Sequence, residues 1–430
     1  MFAKSPILKR TVVCGAACAF AVGGIIACKR EASAPAAASA PAEAVRTSPE
    51  VDRALDDRFA FIAGLPVGQA PYAEWENEPA WREFAATADK AAAEFDSEVL
   101  TPMRAWAASD LALARERTRT LSYPFGGPDL ATAQALFPDA GTVVLLGLEP
   151  VGNLPEFDRL SAEGRAEVFA DLGALVFDFL RRGYFITMDM MDIYSKREID
   201  GALPVIAFFL KRGGYAVAGL ERLAPAAGGS WTATPYERLA ARPHRPYGVR
   251  IDCFKPGETT LRSVYYFSCD VEDRAFTAGS PLHSFLDALE RPTTFVKAGS
   301  YLLHWNNFST LRRLILDRSL YVLQDDTAVP YRFFVREGWG ITLFGRYATP
   351  VKDFTNVEQP DLRAAYEGPD ADVRPLPFRF GYRWRTQVDN LMLAERPRRP
   401  YKSPVSGGHE APLFDILREG VILLSRDSSR

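Results

Sequence analysis

Carboxylates just past the ends of apolar runs are the residues here most suited to chemistry. In LFPDAGTVVLLGLE (136–149) a helix end, a Pro-Asp turn and a hydrophobic strand lead into Glu149. LILDRSLYVLQDD (314–326) repeats the arrangement and ends in Asp325 and Asp326. In open α/β sheets this edge is where ligands bind. Three acids crowded into one low-dielectric cleft require a raised pKa, an arginine or a cation. Arg312 and Arg313, on the helix before the second strand, are placed to supply that charge. Otherwise the partner is a hard divalent cation such as Mg²⁺ or Ca²⁺ with oxygen ligands. The competing reading is that these acids only cap helices and close turns.

Two further segments bear on chemistry. YPFGGPDL (123–130) fixes a tight loop with two glycines and two prolines and sets Asp129 before the helix LATAQALF. Asp129 there is an N-cap; the alternative, an anion site at a glycine loop, lacks a basic partner in the loop. In HWNNFSTLRRLILDRSLYVLQDD (304–326), His304 and Arg312 lie on or near one helix, ahead of Asp325 and Asp326. A histidine near a carboxylate is the minimum for proton transfer, and a packed, hydrogen-bonded histidine beside Trp305 is the plainer alternative. The chain has no P-loop, HExxH, GxSxG, EF-hand or CxxC motif. Its four histidines (His244, His283, His304, His409) are too scattered for a local metal pair.

These side chains must be held by a framework that the sequence outlines. Trp81, Phe84, Ala88, Ala92, Phe95 and Val99 recur at helical spacing, and Thr101-Pro102 predicts the cap and first turn of a second helix carrying Met103, Trp106 and Leu113. Residues 51–115 thus form a helical segment, followed by an α/β body over 116–430 with a possible sub-boundary near 225–245. TVVLLGL (142–148) reads as a strand buried on both faces. Helices are expected over 162–182, closed by Arg181-Arg182-Gly183, and over GALPVIAFFLKRGG, after which YAVAGLERL returns as a strand. That alternation predicts a mixed, partly parallel sheet with flanking helices. Later expectations are a hairpin around KPGETT, helices near 281–290 and 298–317, and strands at 319–324 and 340–345. LPFRFGYRWR (376–385) reads as an edge strand with Arg379 and Arg383 outward, the alternative being an aromatic-arginine surface for a glycan or partner protein.

The 430 residues carry 51 Lys plus Arg against 54 Asp plus Glu, a net charge of −3, which excludes a strongly basic nucleic-acid binder. Lys4, Lys9 and Arg10 precede an uncharged apolar stretch that ends Ile25-Ile26-Ala27-Cys28. A basic start, an apolar core and a small residue before the cut form an export signal, too short for a comfortable membrane span. The last four residues resemble the lipobox of bacterial lipoproteins. The resemblance covers residues 1–28 and implies cleavage before Cys28, diacylglycerol on its thiol and acylation of the new amino group. Lys29, where Asp would mark inner-membrane retention in that family, implies sorting to the outer membrane, on its periplasmic face or surface. Loss of residues 1–27 removes three positive charges, so −3 becomes −6. Residues 29–50, rich in Ala, Pro and Ser, make a spacer.

Of five cysteines, Cys253 and Cys269 remain for the folded part. They lie on the two hairpin strands about five residues out of register, which predicts buried free thiols rather than a bridge. These observations predict an exported, membrane-anchored lipoprotein whose α/β body binds a ligand, an envelope protein or a glycan, with no cofactor implied beyond the divalent-cation option. The alternative is an envelope hydrolase-like enzyme using Asp129, Glu149, Asp325 and Asp326 with His304. On the lipobox reading, Cys28→Ala abolishes incorporation of a fatty-acid probe and leaves uncleaved precursor or soluble protein. Undiminished label on the variant would refute the lipidation.

Overall fold

The computed structural model describes residues 49–397 apart from 197, 242, 244–245, 351–353, 355–356 and 387–388. The expected export signal, Cys28, residues 29–48 of the expected spacer, His244 and His409 lie outside them.

Short, β-branched and fully buried runs build the centre of an 11-stranded mixed sheet. The strands are β1 (Thr120–Tyr123), β2 (Thr142–Gly147), β3 (Ala216–Pro225), β4 (Trp231–Pro235), β5 (Tyr247–Phe254) and β6 (Arg262–Ser268). They continue with β7 (Thr293–Val296), β8 (Tyr321–Gln324), β9 (Gly340–Gly345), the two-residue β10 (Val373–Arg374) and β11 (Asn390–Glu395). Their order is β10-β9-β11-β8-β7-β1-β2-β6-β5-β3-β4. The five central strands, β6-β2-β1-β7-β8, are all parallel. β11 runs antiparallel between β8 and β9, and β5, β3 and β4 add an antiparallel flank.

From β1 the chain moves to β2 and β6 on one side, then returns across the sheet to β7 and β8 on the other. Right-handed crossovers running in opposite directions put their helices on opposite faces. The helices of residues 53–212 share one core with Val143, Leu145, Ile251 and Cys253. The helices Pro281–Asp287, Ser309–Arg318 and Pro360–Glu367 cover the other face with Val144, Leu146, Phe267 and Cys269. Alternation within β2 (Val143 and Leu145 against Val144 and Leu146) supplies both cores from one strand. Adjacent β1 and β7 lead off in opposite directions, so a topological switch point opens between their carboxyl ends.

Much of the expected order holds. The helix Ala162–Arg182 ends at Gly183 in the left-handed conformation (φ 80°), and β9 occupies 340–345. Cys253 pairs with Arg262 across the hairpin, and both described cysteines are free and buried. Of the region 225–245, residues 225–235 lie in the β3–β4 hairpin of the same sheet.

Elsewhere the structure departs from expectation. Thr101 is inside a helix: a π-helical turn over Asp96–Leu100 carries Pro79–Phe95 into Thr101–Asp110, with Thr101 N–H bonded to Asp96 O. Pro102 has no N–H to donate, and the wider turn absorbs that loss. The helix then breaks at Leu111, which is buried, leaving Leu113 70% exposed. β3 is not beside β2; it pairs antiparallel with β5, because the β5–β6 hairpin lies between. The helix expected from 298 begins only at Ser309, since Ala298, Ser300 and Tyr301 hold positive φ values of 51°, 53° and 56°. Residues 376–380 and 384–385 are irregular, and Gly381–Arg383 is a 3-10 turn instead of an edge strand.

The segment after β2 lies backbone to backbone against the start of the helix Leu203–Arg212, with Ala202 and Leu203 N–H groups donating to Pro150 and Val151 carbonyls at 2.9 and 2.8 Å. A Cβ on Gly201 would lie 2.5 Å from Gly152 Cα and from Pro150 O. Gly201→Ala should therefore cost about 1–3 kcal/mol through overpacking, read as a lower denaturant midpoint at unchanged slope. A midpoint equal to wild type would show that this contact is loose.

Candidate functional site

A cleft of ≈ 510 Å³ opens at the carboxyl ends of β1, β2, β6 and β7, at the switch point. Phe125 and Gly127 of the β1 loop, Glu149 after β2, Asp270 after β6 and Ser300 after β7 line it. Leu148, Ile186, Met188, Val271 and Tyr184 add apolar and aromatic wall, and Tyr382 reaches in from the 376–385 loop.

Glu149 is 2% exposed, and its nearest carboxylate partner among the described residues is Tyr266 Oη at 3.4 Å. The same hydroxyl donates to the Glu149 carbonyl at 2.9 Å and so fixes the residue from below. No Lys or Arg among the described residues pairs with this carboxylate. Gly127, at φ 54°, brings its backbone over the acid: a Cβ there would sit 3.5 Å from Glu149 Oε2. Gly147 is equally constrained, since a Cβ would meet Tyr266 Oη at 2.6 Å.

Asp129 caps the helix Leu130–Leu136, accepting from Thr132 N–H at 3.0 Å. The basic partner missing from its loop comes from β7: Lys297 Nζ lies 2.6 Å from Asp129 Oδ2, with both side chains 3% exposed or less. Lys297 also donates to Gly183 O at 2.6 Å and Thr132 Oγ1 at 3.1 Å, between the rings of Phe179 and Phe380. Tyr123 Oη donates to the same Asp129 oxygen at 2.8 Å. The chain's own carboxylate thus fills the anion position at this helix start.

Asp325 and Asp326 do not face Glu149. β7 and β1 lie between β8 and β2, three strand spacings or about 14 Å. The two aspartates instead line a small separate cavity with Gln359 and Tyr366. Asp325 accepts from the N–H groups of Ala298 (2.8 Å) and Thr327 (3.0 Å), and burial together with Asp326 pushes its carboxyl up. The arginine that relieves the crowding is Arg383, bidentate on Asp326 at 2.8 and 3.1 Å, rather than Arg312 or Arg313. Arg312 donates to the Leu303 and Trp305 carbonyls, and Arg313 pairs with Asp317 and Glu337. His304 lies outside the cleft lining, its Nε2 buried without a partner among the described residues. Burial and then Arg332 lower its pKa to about 4. Among the described residues no three His, Cys, Asp or Glu side chains are grouped to hold a metal ion. The cleft contains Glu149 alone of the five side chains the hydrolase alternative requires.

Lys297 and Tyr184 lie outside the sequence-derived candidates, and Arg383 and Tyr382 enter only as part of the aromatic-arginine stretch 376–385. For Lys297 the signal is a lone cation ending the buried run TTFV; for Arg383, the density of arginine among aromatics. No protein-family model, curated protein or solved structure matches the chain.

The loop bearing Arg383 and Tyr382 is also held by Asp389, which accepts from Phe380 N–H at 2.9 Å. Burial pushes the Asp389 carboxyl up to about 7. The folded state therefore binds this proton more tightly than the unfolded chain, whose Asp titrates near 4. The linked stability is complete in acid and is lost as pH rises through 7. Asp389→Asn keeps an acceptor for Phe380, so its melting temperature relative to wild type should rise between pH 4.5 and pH 8, by about 2 °C or more. A constant difference across that range would show that Asp389 titrates normally.

Proposed function

We propose that this is an exported lipoprotein, held to the envelope by acylated Cys28, whose α/β body binds a small ligand bearing a vicinal diol, of the nucleoside class. One observation carries the ligand reading: buried Glu149 stands at the end of β2 under the glycine loop that follows β1. In doubly wound folds an acid roughly twenty residues beyond the first-turn glycines accepts the ribose hydroxyls. Apolar walls and few polar groups are the usual composition of a small-molecule site. A pyrophosphate is disfavoured, because Asp129 already caps the helix and, among the described residues, the cleft lining has no Lys, Arg or His. Binding is favoured over hydrolysis because the carboxylates and His304 do not converge. Among the described residues no helix is long and apolar enough to cross a membrane, which is compatible with anchoring through lipid.

Calorimetric titration of the purified protein with adenosine and 2′,3′-dideoxyadenosine tests the diol. Adenosine should bind more tightly, and Glu149→Gln should weaken it by about tenfold while leaving the dideoxy compound nearly unchanged, as expected for charge-assisted hydrogen bonds. Equal affinity of both compounds for the wild type would remove Glu149 as the diol acceptor.

A further inference from the structure

The β7 side of the cleft differs in chemistry from the Glu149 side. Tyr184 and Tyr382 meet edge to face with ring centroids 5.0 Å apart, and Phe354 lies 6.0 Å from Tyr382. Phe125 and Phe308 line the same space. Tyr382 is fixed by donating to Ala298 O at 2.8 Å and by a 2.7 Å hydrogen bond with Ser300 Oγ, so its ring is a built wall. Elsewhere arginines stack over rings repeatedly, as on Trp75, Tyr236, Phe333 and Trp339. Among the described residues no protein cation stacks over these rings or over Phe185, the sixth aromatic side chain of the cleft lining. Arg182, paired with Asp178 at 3.1 Å, and Arg385, over Trp384 at 4.9 Å, act on the Tyr184 hydroxyl through their charge without stacking on its ring.

Charge points the same way. Among the described residues, the cleft lining contains Glu149 and Asp270 and no Lys, Arg or His. Asp325 stands behind the wall, bonded to Ala298 N–H, while Arg383 is engaged by Asp326. Lys297, the other cation nearby, is neutralised by Asp129. An aromatic-walled, acid-lined cleft of low dielectric attracts cations and repels anions. Aromatic faces without a protein cation suit an alkylated cation, which has a small desolvation cost and strong attraction to the ring quadrupole.

We propose that the ligand of this cleft carries an alkylated onium group, of the quaternary ammonium kind, seated against Tyr184 and Tyr382. The inference rests on the reading of the cleft as a ligand site and adds the charge of the ligand to it. β2, which leads to Glu149, and β7, which leads to the Ala298 and Ser300 partners of Tyr382, are two strand spacings, about 10 Å, apart.

Calorimetric titration of the full protein with choline and with its neutral isostere, 3,3-dimethylbutan-1-ol, tests this. Choline should bind about tenfold more tightly. Tyr184→Phe, which keeps the ring, should retain the preference, and Tyr184→Leu should lose most of it. Equal binding of the two compounds by the wild type overturns the proposal whatever the variants do. Adenosine binding without choline binding overturns the cation and leaves the diol reading standing. Choline binding without adenosine binding does the reverse, and failure of both compounds to bind overturns both.

Discussion

The buried pair between Lys297 and Asp129 ties together the two halves of the sheet at the place where they diverge. Lys297 ends β7, Asp129 starts the helix after β1, and Gly183 closes the long helix that covers the same face. One ammonium thus reaches two elements that each lie more than a hundred residues before it in sequence. Desolvating two charges is expensive, and removing one partner from such a pair costs about 3–5 kcal/mol because the other is left buried alone. The Tyr123 hydroxyl, the Thr132 N–H and the Thr132 hydroxyl complete the partners of both ions. With the pair in place, the β1 and β7 ends sit at fixed distance and the cleft between their loops keeps its shape.

The same pair explains why a glycine loop opening onto a helix need not bind an external anion. The partial positive charge at the helix start is met by Asp129, and Asp129 is met by Lys297. Nothing comparable neutralises Glu149 among the described residues. The two acids occupy similar positions after neighbouring strands yet differ in their partners: Asp129 is paired with Lys297, and Glu149 lines the cleft.

The elements were readable where the sequence pattern is local. TVVLLG could only be a buried strand, Arg181-Arg182-Gly183 a helix end, and KPGETT a hairpin turn, because each depends on neighbours a few residues away. Glu149 at a strand mouth and Asp129 as a cap follow from the same local logic. Partnership was not readable. Nothing near Asp129 in sequence announces Lys297, and the repeated strand-then-acid pattern suggested a shared cleft that strand order forbids. Arg383 was read outward because alternation in FRFGYRWR resembles a strand; Gly381 at φ 61° and the pull of Asp326 turn the chain instead. Pro102 was read as a helix start because a π-helical turn leaves no compositional trace.

The borders of the sheet have a consequence for life at a crowded surface. β10 is two residues long, and β4, largely exposed, ends at Pro235 among threonines and alanines. Each border therefore offers a neighbouring chain few free amides and little apolar surface to extend upon. Proteins tethered to a membrane share a plane rather than a volume and meet one another far more often than free molecules. An eleven-stranded sheet with long, flat margins would zip into ribbons there. On the proposed lipid anchor, blunted margins would disfavour edge-to-edge pairing between neighbouring copies.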